Sequence, residues 1–227
     1  MRNIVFKIFR FFVRGYIGRY SVSYSNKIDE PAVYVVHHQN LSGPTFSLAW
    51  FDVPMRLWAL NVFCNWRTCF SQYYDYTFTK RFGMPKVIAA IVAFPVSLAA
   101  PILMWAINAI PVYRGTRDIV KTFRQTVSSL THGQSILICP DVDYVNKGQH
   151  MGEMYDGFLD LERYYIKESG RHLAFAPLYI SRASRCVYQG DAVYFGTEKS
   201  FKQEKVNVYN RLKQELLDLE AHDKGES

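Results

Sequence analysis

A chain of 227 residues that is 49% hydrophobic and only 21% charged has material for one large buried core, which excludes a disordered tail. Lys and Arg number 27 against 20 Asp and Glu, a formal charge of +7 that favours an anionic partner: nucleic acid, an acidic membrane surface or a phosphate-bearing substrate. Four cysteines without Cys-x-x-Cys spacing exclude a disulfide scaffold and a zinc finger, and read as reduced thiols in a cytosol-facing protein.

Residues 1–20, MRNIVFKIFRFFVRGYIGRY, predict an amphipathic helix. At 100° per residue Lys7, Arg10 and Arg14 share a narrow arc, and Ile4, Val5, Ile8, Phe9 and Phe12 lie opposite. That pattern suits a helix lying flat in a membrane interface, with phenyl rings among acyl chains and cations at lipid phosphates. A secretory signal fits poorly, because charges interrupt the apolar run. Residues 21–227 read as one α/β domain, without a repeat or linker.

Ala32 to His37 is a β-branched run ending at a polar loop, so it predicts a buried strand. Pro44 opens a helix toward Phe51. Leu57 to Phe63 reads as a strand and Asn65 to Lys80 as a helix. Val87 to Val112 holds no charged residue and is long enough to cross a bilayer. Pro95, Pro101 and Pro111 make it a poor straight span, so a buried core helix or a re-entrant hairpin are the other readings. Ala109 to Tyr113 is a short strand. Thr116 caps a helix with Ile119, Val120, Phe123, Val127 and Leu130 at helical spacing, ended by Gly133. Ser135 to Cys139 is a short buried strand stopped by Pro140. Tyr155 to Lys167 reads as a helix, Leu173 to Ser181 as a strand and Cys186 to Phe195 as one or two more. A last helix from about Val206 to His222 carries Tyr209, Leu212, Leu216 and Leu219 on one face. Strands alternating with helices predict a largely parallel sheet flanked by helices, with chemistry at the strand ends.

Three strand ends carry unusual polar groups: His37-His38-Gln39-Asn40, Asn108 to Gly115 around Arg114, and Cys139-Pro140-Asp141-Val142-Asp143-Tyr144. A histidine, an arginine and a carboxylate pair, each at the edge of a sheet, suit an acid–base and anion-binding site. This order resembles the glycerolipid acyltransferase family, of which lysophosphatidate acyltransferase is the type member. His38-Gln39-Asn40-Leu41-Ser42-Gly43-Pro44 is similar to the first family motif without its aspartate. Ile110-Pro111-Val112-Tyr113-Arg114-Gly115 matches the second, with Asn108 in place of a leading glycine. Cys139 to Tyr144 stands where the third, Phe-Pro-Glu-Gly-Thr-Arg, belongs. Ala176-Pro177-Leu178-Tyr179-Ile180 looks like the fourth.

The resemblance implies transfer of a fatty acyl group from acyl-CoA or acyl carrier protein to the hydroxyl of a lysophospholipid or related lipid. It implies His38 as general base, with His37 as a supporting or buried neighbour, and Arg114 as the binder of an anionic head group. Asn40, Gly115 and Tyr144 complete the substrate-binding candidates. The orienting aspartate of the first motif is missing, so Asp143, or failing it Asp141, is expected to replace it, with Asp52 as a further candidate. No metal or bound cofactor is implied. The expected location is the cytoplasmic face of the cell membrane, peripheral or monotopic. The rival reading is a catalytically degenerate lipid-binding member of the same fold. A nucleic-acid partner is not expected, because the aromatics are dispersed through apolar runs and not interleaved with Lys and Arg.

Overall fold

The computed structural model describes residues 2–143 and 151–225. In chain order the helices are α1 (Arg2–Ile17), α2 (Ser42–Trp50), α3 (Trp66–Ser71), α4 (Lys86–Ala106), α5 (Ile119–Thr131), α6 (Leu161–Ser169) and α7 (Phe201–Lys224). The strands are β1 (Ser21–Tyr24), β2 (Ala32–Val36), β3 (Met55–Leu60), β4 (Ile110–Val112), β5 (Ser135–Ile138), β6 (Ala174–Ser181) and β7 (Cys186–Gln189). This is the α/β architecture that the alternation predicts, with mostly parallel strands flanked by helices. By their contacts the residues divide into two compact units, 1–11 with 56–122 and 12–55 with 123–227.

The larger unit holds five strands in the order β1–β7–β6–β2–β5. β2 pairs in parallel with both β5 and β6, β1 pairs in parallel with β7, and β6 and β7 form an antiparallel hairpin. β2, β5 and β6 are buried along their whole length, as expected of central parallel strands written in continuous apolar residues. α7 covers β6 with Val208, Leu212, Leu216 and Leu219, the spacing of one helix face. It starts at Phe201, five residues before the predicted boundary, because Ser200 and Gln203 form a capping box that satisfies its first amides. β1 was not predicted; its polar sequence SVSY lies exposed at the sheet edge.

In the smaller unit β3 and β4 pair in parallel. Asn65 caps α3 by accepting the Arg67 amide at 2.9 Å, and the helix runs on as a π-helical stretch, Gln72–Arg81. The charge-free segment is one helix, α4, which continues through Pro95 and Pro101. It is long and apolar enough to cross a membrane, yet little of it is buried. Val87, Ile91, Phe94, Leu98, Ile102 and Trp105 are all exposed. Their steps of three and four place them on one face along nearly the whole helix.

α1 forms as predicted, with a difference in which side meets solvent. Phe6, Phe9, Val13 and Ile17 are half-buried, while Ile4, Lys7, Ile8, Phe11 and Phe12 are exposed. Arg14 belongs to the protein: its Nε donates to the Ala49 carbonyl at 2.7 Å, and a terminal nitrogen lies 3.5 Å from Asp52. Asp52 is thereby engaged at the far end of α2.

Candidate active site

β2, β5 and β6 run in the same direction, with Val36 opposite Leu178 and Val35 opposite Ile138. Their carboxyl ends therefore share one sheet edge, where ligands of open parallel sheets bind. His37 and His38 follow β2, Asp141 follows β5 after Cys139 and Pro140, and Arg182 follows β6.

At that edge the His37 ring Nδ1 meets Asp141 Oδ1, and both side chains are more than nine-tenths buried. The other carboxylate oxygen, Oδ2, accepts the His38 backbone N–H at 2.9 Å. A buried carboxylate is tolerable only when its oxygens are hydrogen-bonded, and here both are. The carboxylate can only accept, so His37 carries its proton on Nδ1 and leaves Nε2 as the basic nitrogen. His38 is in the opposite state. Its Nδ1 accepts the Leu41 amide at 3.2 Å, so the neutral ring carries its proton on Nε2.

This corrects the expected pairing by one residue. The carboxylate-held ring is His37, where His38 was expected, and the carboxylate is Asp141, the second of the two expected aspartates. Asp143 is exposed two residues further along. The cause is the strand end: β2 stops at Val36 and His38 already has helical φ and ψ of −62° and −38°, so His37 meets Asp141 while the His38 ring folds back over the following turn to the Leu41 amide.

A Cβ at Gly43 would overlap the His37 carbonyl oxygen and come within 2.9 Å of its carbon. Position 43 is therefore closed to any side chain. Gln39, Asn40 and Leu41 all have positive φ, at 45°, 51° and 79°. Such strained non-glycine residues persist only where the surroundings hold them, and they gather at functional sites. Here they fold the chain back so that the Gly43 amide reaches the His38 carbonyl at 3.2 Å. Gly43→Ala should cost ~3 kcal/mol or more, since backbone and not a flexible side chain must move. A urea titration with a wild-type midpoint would refute this packing.

Asp141 is also fixed through its backbone. Residues 140–142 pair with 153–155: the Val142 amide reaches Glu153 at 3.0 Å and the Tyr155 amide reaches Pro140 at 2.7 Å. α7 holds the far strand of this ladder. Tyr209 accepts the Met154 amide at 3.1 Å and donates to Glu153 at 3.0 Å, and Lys213 reaches Glu153 at 2.9 Å. Those donors, Lys213 first, hold the Glu153 carboxyl below its usual range. Gly152 to Phe158 thus contains the brace for Asp141, a role its sequence did not announce. Burial, with the Asp141 charge beside it, pushes the Cys139 thiol well up, which disfavours its thiolate. The His37 side chain lines a small cavity with Met151, Leu178, Ile180, Leu216 and Glu220.

The other expected binding residues divide between the units. Asn40 is exposed in the left-handed run, in the same unit as His37. Arg114 and Gly115 are exposed after β4 in the smaller unit, with Gly115 at φ 73°. Asn108, where the second family motif has glycine, adopts φ 55°, a conformation asparagine tolerates better than other side chains do. Its carbonyl accepts from Arg56 at 2.8 Å. Tyr144 lies outside the described residues. Among the described residues no group of three His, Cys, Asp or Glu side chains is placed to hold a metal ion.

No protein-family model matches the sequence, and no curated protein matches it. Among solved structures the chain is similar to the 1-acyl-sn-glycerophosphate (LPA) acyltransferase PlsC from Thermotoga maritima. The TM-score is 0.50 at 14% identity, covering 97% of this chain and 81% of that one. The likeness is one of fold: this chain shares the α/β architecture of a lipid acyltransferase.

Proposed function

We propose that the protein is a membrane-associated acyltransferase that moves a fatty acyl group from a thioester to the hydroxyl of a lysophospholipid or related lipid. The observation that carries this reading is the buried His37–Asp141 pair at the carboxyl edge of a sheet of acyltransferase fold. In the reaction His37 Nε2 takes the acceptor hydroxyl proton as its oxygen bonds to the thioester carbonyl carbon. The carbon–sulfur bond then breaks, and the proton passes from the imidazolium to the departing thiolate. Asp141 keeps the ring in the working tautomer and stabilises the imidazolium. The donor is acyl-CoA or acyl carrier protein. A panel of lysolipids and monoacylglycerol, offered with labelled acyl-CoA and with acyl carrier protein, tests the reading. Transfer to at least one lysophospholipid is expected, and none from either donor would defeat it.

A second reading is favoured by one observation. His37 is only 4% exposed, so the pair also suits a lipid-binding member of the fold that does not turn over. Binding of lysolipid without transfer is its signature.

The membrane assignment belongs to the same proposal. The exposed stripe on α4 and the exposed Ile4, Ile8, Phe11 and Phe12 on α1 offer apolar side chains to lipid, each worth ~1.5–3 kcal/mol when fully removed from water. Lys7 adds a cation beside the α1 stripe, worth ~1 kcal/mol near an anionic surface. Binding to anionic vesicles should weaken with salt, and Ile8→Glu with Phe11→Glu should weaken it further. Sedimentation with vesicles checks this; binding unaffected by either change would remove α1 from the interface.

A further inference from the structure

The turn between β6 and β7, residues 182–185, lies at the same sheet edge as His37 and Asp141 and carries two exposed arginines. Arg182 Nη2 donates to Ser42 Oγ at 2.8 Å, and Ser42 is the first residue of α2, four positions beyond His38. Arg185 has a φ of 51°, and its carbonyl accepts the Ser21 amide at 3.0 Å, which pins the turn against the start of β1. A Cβ on Gly18, whose φ is 93°, would come within 3.1 Å of the Arg185 guanidinium. The Tyr20 ring lies 4.9 Å from both Phe46 and Trp50. Both guanidinium charges act on the Tyr20 phenol, partly offsetting the upward push of its burial.

Among the described residues neither arginine has a carboxylate at ion-pair distance. Arg182 is instead held in position by a neutral hydroxyl. Two exposed guanidinium charges on one short turn create a local positive field that attracts an anion. The guanidinium fork and the Ser42 hydroxyl supply several donors converging on one spot, the requirement of a tetrahedral dianion.

We propose that Arg182, seated by Ser42 and backed by Arg185, binds a phosphate group of one substrate beside the His37–Asp141 pair. The identity of that substrate rests on the acyl-transfer reading; the anion site itself does not. Two sources carry the phosphate: the head group of the lipid acceptor, or the coenzyme A portion of the donor.

Equilibrium binding without the second substrate separates these possibilities, because no turnover is needed. The probes are lysophosphatidate, coenzyme A and, lacking phosphate, monoacylglycerol. Arg182→Gln should weaken one phosphate probe by ~10–100-fold, the worth of a charge-assisted hydrogen bond, and leave monoacylglycerol unchanged. Arg182→Lys should retain part of the affinity, and Arg185→Gln should cost less than Arg182→Gln. Loss confined to lysophosphatidate assigns the acceptor phosphate, and loss confined to coenzyme A assigns the donor. Both phosphate probes binding Arg182→Gln as tightly as wild type would overturn the proposal, as would equal loss for monoacylglycerol. Arg182-dependent phosphate binding in a wild-type protein without acyl transfer would leave this site standing and remove the acyltransferase reading. Active enzyme with unaltered phosphate affinity in Arg182→Gln would do the reverse.

Discussion

Replacing His37 with alanine should lower acyl transfer by ~10²–10⁴, the usual worth of a positioned general base. The buried side chain leaves a cavity, so a folding control is needed, and His37→Gln serves as a closer substitute in volume. His38→Ala should retain most of the activity. The contribution of His38 to the site is its backbone amide, 2.9 Å from Asp141 Oδ2, and alanine keeps that donor. Single-turnover rates for the three variants, at matched folded fraction, make the comparison. The reverse ranking, with His38→Ala inactive and His37→Ala active, would return the base to the residue that the family motif suggests.

Asp141→Asn should be the most damaging conservative change in the protein. An amide at position 141 can place its NH₂ toward His37 Nδ1, which moves the ring proton to Nε2 and abolishes the basic nitrogen. In triad enzymes the equivalent change costs ~10⁴ in rate with little change of geometry. A loss of similar size is expected here, with lysolipid binding largely retained. Asp143→Asn should behave nearly as wild type. Comparing transfer rates and lysolipid affinities of the two variants checks both statements, and an inactive Asp143→Asn beside an active Asp141→Asn would overturn them.

The sheet was legible where the residues themselves demand burial. AVYVV, SILI and AFAPLYIS are continuous apolar runs, and they became β2, β5 and β6 within a residue or two of the expected limits. β1 was not legible, because SVSY is short and polar and becomes a strand only by pairing with β7. The predicted helix from Asn65 began where its cap indicated, but its π-helical second half has no local signature. Part of the site followed the same logic. The strand ends that carry chemistry were readable, since polar groups after buried runs stand out. Which of two adjacent histidines meets Asp141 was not, because the backbone turns from extended to helical between β2 and His38, and the partner carboxylate lies 104 positions away in the chain. The brace from Glu153 to Tyr155, and the Arg182–Ser42 contact, join residues more than 50 positions apart and exist only in the fold.

The claim on which the mechanism turns is that Asp141 holds His37 with its proton on Nδ1, while His38 carries its proton on Nε2. Long-range ¹H–¹⁵N correlation spectra of the ¹⁵N-labelled protein at neutral pH read each ring nitrogen directly, with His37→Gln and His38→Gln supplying the assignments. The expected spectrum shows a protonated Nδ1 and a bare Nε2 for His37, and the opposite pattern for His38. Asp141→Asn should convert the His37 pattern to that of His38. A bare Nδ1 on His37 in the wild-type protein would contradict the account.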